Sequence, residues 1–222
     1  MSRALALALA LLVACGSTGT RVDWEPSRSA TWVGTGDGDV AVRAELVRAR
    51  AELETGSPAK AAAALRELCA RQPSNLAAAR LLQDARLAAG EDPADLVAEA
   101  RSRATGDVYG EPFAPLLAAR LEPDPAAARL LLERPLAETG VSLAAPGLGR
   151  AFRSSARRHL AWLALTEGDA QAARSQLEAA LELEPVHLTA RRLEVHLLRS
   201  EGNLTAARAH LEHWLEATAD EP

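Results

Sequence analysis

A glycine returns at a fixed interval in this chain: Gly202 follows Gly168 by 34 residues, and the same interval pairs Ala173 with Ala207 and Leu177 with Leu211. A period of that length is one supersecondary unit stacked on a copy of itself, because a lone helical hairpin cannot bury its apolar face. Residues 154–187 read as helix, turn at Glu167-Gly168-Asp169, helix, and stop at Pro185. Residues 188–221 repeat this with a turn at Glu201-Gly202-Asn203. Each recurring residue has a packing reason. The glycine permits a tight turn, Ala173, Ala180 and Ala207 let helices approach closely, and Pro185 ends the second helix.

The N-terminal half carries a looser copy. Gly56, Ala61, Leu65 and Pro73 stand at the same offsets, and Gly90 again follows Gly56 by 34 residues. A first hairpin is thus expected over 42–75 and a second over 76–109. In the second, Asp95 and Glu99 replace the small and large packing residues, so its second helix is expected to be shifted or degenerate. Residues 119–133 match 164–178 with Pro123 in place of Gly168, which suggests one more worn hairpin. The composition is that of helices: 50 Ala and 36 Leu, no Ile, and only 3% aromatic residues among 222, since Ala and Leu favour helix while β-branched and aromatic residues favour strand. At 48% hydrophobic the chain is too apolar to be disordered throughout.

The turn glycine, the small residue five positions on, the large residue nine on, Ala180 twelve on and Pro185 seventeen on together resemble the tetratricopeptide repeat family. The resemblance implies an all-α fold, an α-solenoid of antiparallel helix hairpins wound as a right-handed superhelix, with a concave groove that takes a peptide or helix of a partner. The family's usual bulky aromatic four residues before the turn glycine is replaced here by Glu52, Arg86, Ala164 and Leu198, while Leu53, Leu87 and Leu165 stand three before it. The expected organisation is 41–136 for the degenerate N-terminal hairpins, 137–153 for a connecting loop, and 154–222 for the C-terminal pair of motifs.

The first forty residues carry an address. Arg3 precedes an apolar run from Ala4 to Ala14, too short to span a bilayer and suited to a secretory signal. The run ends in Leu12-Val13-Ala14-Cys15, which resembles the lipobox of bacterial lipoproteins. That resemblance implies a signal peptide over 1–14, cleavage before Cys15, acylation of Cys15, and attachment to the cell envelope. Gly16, where an Asp often signals inner-membrane retention, favours the outer membrane facing the periplasm. Residues 15–40 then read as a flexible tether rich in Gly, Ser, Thr and Asp. Trp24 and Trp32 stand out in it, suited either to docking on the body or to the membrane interface. Lipidation of Cys15 leaves Cys69 as a lone thiol, expected to be a small hydrophobe in its helix.

Candidate chemistry is sparse. The net charge of −5 argues against a general nucleic-acid partner, and there is no phosphate loop, nucleophile elbow or zinc-protease motif. No enzymatic activity and no cofactor are expected. His210 and His213 stand three apart on one helix, a metal-compatible spacing without an evident third ligand. Ten residues before the turn glycines lie Leu46, Arg80, Arg158 and Arg192; six before them lie Arg50, Asp84, Trp162 and His196. If the family's register holds, Arg80, Arg158, Trp162, Arg192 and His196 line the groove, where guanidinium groups pair with carboxylates and Trp162 supplies an anchor. The expected function is a lipid-anchored interaction scaffold for a protein partner, with an acidic peptide or chain terminus as the target. Two alternatives stand beside it: a metal-binding or enzymatic solenoid using His210 and His213, and a structural lipoprotein that pairs with a second copy, making a homodimer that covers Trp214.

Overall fold

The computed structural model describes residues 38–104, 113–137, 146–185 and 187–219. The expected signal sequence, Cys15, Trp24 and Trp32 lie outside the described residues, and the expected tether over 15–40 is corrected at its end, because a helix begins at Gly38. Among the described residues the chain is helical, with no strand. We number the helices α1 (Gly38–Glu54), α2 (Pro58–Arg71), α3 (Leu76–Ala88), α4 (Pro93–Ala104), α5 (Ala114–Leu121), α6 (Pro125–Ala137), α7 (Pro146–Glu167), α8 (Ala170–Leu183), α9 (Leu188–Ser200) and α10 (Leu204–Ala219).

The repeat glycines make the turns. Gly56, Gly90, Gly168 and Gly202 all have positive φ, between 75° and 92°. At each, the glycine N–H donates to the carbonyl three residues back and the next N–H donates to the carbonyl five back, as in Gly168 to Leu165 (3.2 Å) and Asp169 to Ala164 (2.8 Å). This Schellman arrangement satisfies the last carbonyls of one helix. The residue after Gly168 or Gly202 then caps the next helix: the side chain of Asp169 accepts from Ala172 N–H, and that of Asn203 from Ala206 N–H. A chain reversal and two caps are thus compressed into two residues. At Pro123 there is no glycine, and Asp124 starts α6 by accepting from Ala126 N–H.

Packing follows the chain. Consecutive helices pack in antiparallel pairs, and each odd helix also touches the next odd one, from α1 to α9, whereas the even helices have no comparable continuous contact. The odd layer is therefore the tighter of two. The core is divided likewise: one patch in α1–α3 around Leu65 and Leu68, one in α5–α7 around Leu132 and Leu160, and one in α7–α9 around Leu177 and Leu197. Ala173, Ala180 and Ala207 are buried at 2% exposure or less, as their repeat positions require, and Pro185 lies in the turn after α8.

One segment is shifted, as expected, and another departs from expectation. In the second hairpin the turn holds Glu91 and Asp92 before Pro93, one residue more than Ser57 before Pro58. The buried positions shift by one accordingly, to Leu96, Val97 and Ala100, leaving Asp95 exposed. α3 and α4 pack weakly as a result, through Leu87, and α4 lies chiefly along α5. The expected loop over 137–153 is corrected, because α7 begins at Pro146. Proline tolerates a first helical turn, whose N–H groups lack helical acceptors, and Phe152, buried at 5%, joins Phe113, Leu116 and Leu132 in the middle core patch.

Candidate functional site

The three arginines that share one repeat offset have different surroundings. Arg158, expected in the groove, is only 2% exposed and belongs to the core between α7 and α9. Its Nε donates to the Ser154 carbonyl (3.3 Å), one terminal nitrogen to Ser155 Oγ (2.6 Å) and the other to His187 Nδ1 (3.0 Å). The groove role for Arg158 is therefore withdrawn. α7 turns this position inward, toward acceptors that satisfy a buried guanidinium. Arg80 on α3 is half-buried, as are Trp162 on α7 and Arg192 on α9, while His196 on α9 is exposed.

His187 is the second half of that buried junction. It sits at the N-cap of α9, where its Nδ1 accepts from Thr189 N–H (3.2 Å) as well as from Arg158. An imidazole nitrogen that accepts twice carries no proton, so the proton of the neutral ring is on Nε2, 4.0 Å from Glu184 Oε2. Ser154 Oγ donates to the same carboxylate at 2.6 Å. Burial, then the Arg158 and Arg80 guanidiniums, push the His187 pKa down to about 3. His159 is 1% exposed, its ring edge-on to Trp162 at 5.8 Å between centroids. Burial first, then Arg80 and Arg120, likewise push its pKa down to about 3.

The odd layer thus brings together Arg80 from α3, Arg120 from α5 and Arg158 from α7, around two histidines held neutral. Arg120 is held by Gln83 Oε1 (2.9 Å) and by Asp84, and the Gln83 amide donates to the Leu117 carbonyl (2.9 Å), tying α3 to α5. The repeat offsets single out Arg80 and Arg158 but miss Arg120, because it stands three residues before Pro123 and so at neither the ten- nor the six-residue offset. They also miss His187. A signal for it was present: the residue just before Leu188 occupies the cap of an apolar-periodic helix.

Elsewhere the arginines hold neighbours together. Arg66 pairs with Glu91, Arg71 with Glu45, Arg129 with Glu167, and Arg174 with both carboxylate oxygens of Glu201 at 2.7 Å. Between α2 and α4, where the second hairpin is splayed, lies a cleft of about 350 Å³ lined by Cys69, Leu82, Leu96, Phe113, Leu117 and the Arg86–Glu99 pair among others. Cys69 is half-buried against the first core patch, in keeping with a small hydrophobe. At the other end, His210 Nε2 lies 2.7 Å from Glu194 and His213 is exposed. No group of three His, Cys, Asp or Glu among the described residues is arranged to hold a metal ion. Burial and then Arg199 push the pKa of His196 down. Of the residues expected to line a groove, His196 on α9 is exposed and Arg192 on α9, Trp162 on α7 and Arg80 on α3 are partly so. In comparisons with known proteins, no family model, no curated protein and no solved structure matches the chain.

Proposed function

We propose that this chain is a lipid-anchored tetratricopeptide-like scaffold of the bacterial cell envelope, which holds a peptide or helix of a partner protein against its odd-helix layer. The observation that carries the proposal is the run of left-handed glycine turns, two pairs spaced by 34 residues, in a stack whose odd helices form one continuous layer. Such stacks present extended faces along which partners lie. Arg192, with Arg80, gives that face a basic character in a chain that is acidic as a whole, and Trp162 offers an aromatic platform. An acidic segment or chain terminus suits it. The role is binding without catalysis.

Anchoring rests on Arg3, the run from Ala4 to Ala14, and Cys15 at its end, with Gly16 favouring the outer membrane. No helix of the described residues is long and apolar enough to cross a membrane. In the native host, Cys15→Ser is expected to move the protein from the membrane fraction to the soluble one. Unchanged membrane association, with an intact N-terminus by mass spectrometry, refutes the anchor. Binding is tested separately, by co-purification of partners with wild type and with the double variant Arg192→Glu and His196→Glu. A specific partner is expected to be lost from the double variant and to bind wild type more weakly as salt rises. A partner retained equally by both refutes the assigned face.

A further inference from the structure

We propose that the outer face of α1 is capped by the chain's own N-terminal segment, with Trp24 as the anchoring side chain. Val40, Ala44, Val47 and Ala51 are all exposed, Val40 at 74% and Val47 at 63%. Positions i, i+4, i+7 and i+11 share one strip of a helix. This strip lies opposite Val42, Leu46 and Ala49, which pack into the first core patch. Arg43 and Arg48, both exposed, flank it on either side. Among the described helices α1 packs on α2 and α3, and an end helix of a stacked array needs a polar or covered outer face.

The chain supplies a matching occupant. Residues 16–37 run directly into α1 and contain Asp23-Trp24-Glu25, an aromatic ring with an acid on each side. The strip on α1 is the complement: apolar, with an arginine on each side. Geometry permits the contact. Fourteen residues separate Trp24 from Gly38, a reach of up to about 46 Å when extended, whereas Val47 lies about 14 Å along the helix from Gly38. The surplus allows the chain to reverse and lie back along α1. An indole buried on two valines and two alanines between guanidinium groups gains apolar burial and a cation–π contact. The proposal stands whether or not Cys15 is acylated.

The test is thermal unfolding of the full chain carrying Cys15→Ser. Glu is a better helix former than Val, so on an uncovered face Val47→Glu leaves Tm unchanged or raises it. Under the cap it lowers Tm by about 3–6 °C. Trp24→Ser, outside the helical body, is expected to lower Tm by a similar amount. The two changes together should add little more than either alone, because they remove one shared contact. Silence of both variants, or full additivity, overturns the proposal. So does a wild-type dimer that light scattering shows to become a monomer with Val47→Glu, which gives the strip to a second copy. An effect of Trp24→Ser seen only with phosphatidylglycerol vesicles present also overturns it, because the occupant is then the membrane surface.

Discussion

Gly168 shows how one residue sets the direction of two helices. Its φ of +80° lies in the left-handed region, and an added Cβ would meet no atom within 4 Å. Gly168→Ala therefore carries only the conformational cost, about 1–2 kcal/mol, to be read from the urea midpoint; an unchanged midpoint contradicts the turn. The buried histidines make a second prediction. Above pH 6.5 both rings are neutral in folded and unfolded chain alike, but below it the unfolded chain binds protons that the folded chain refuses until about pH 3. Stability therefore falls as pH falls through that window, by up to about 1.4 kcal/mol per pH unit for each histidine. His187→Asn supplies a capping oxygen in place of Nδ1 and removes one titrating ring, so it should lower the slope between pH 6 and 4 by that ring's share, while His159 and His196 keep theirs. A stability that is flat from pH 7 to pH 4 in wild type contradicts the burial of both rings.

At the scale of the helix, small residues decide spacing. Ala173 is fully buried on α8, where α8 meets α7. Ala173→Leu forces methyl groups into a closed contact and should cost roughly 1–3 kcal/mol, whereas Ser175→Leu at an exposed site of the same helix should stay within about 0.5 kcal/mol. Equal effects of the two would show that the α7–α8 contact is not where the repeat puts it. These positions were legible in the sequence because their constraint is local. A turn needs its glycine and a close approach needs its alanine, each at a fixed distance along the chain. The shift of Leu96 and Ala100 was only half legible, since one extra residue before Pro93 displaces every later position and no periodic count reveals where a turn ends. The start of α7 was hidden for another reason: Pro146, Gly147 and Gly149 carry loop-like signals, and burial of Phe152 against α5 and α6 overrides them. The inward turn of Arg158 depends on His187 and Ser155, acceptors from two helices, and no spacing rule brings them together.

For the molecule as a whole, each core patch is shared by neighbours in sequence, so stability is distributed along a stack. The odd layer runs continuously from α1 to α9, while the even helices leave a cleft between α2 and α4. A partner that lies along the stack therefore has two distinguishable faces to choose from. The most direct test places a photo-crosslinking amino acid at His196, on the odd helix α9, or at Ser175, on the even helix α8, in the native host. Both sites are exposed, so neither replacement disturbs the core. A specific crosslinked partner is expected from position 196, weakened by Arg192→Glu, and none from position 175. A partner captured from position 175 and not from position 196 would contradict the assigned face.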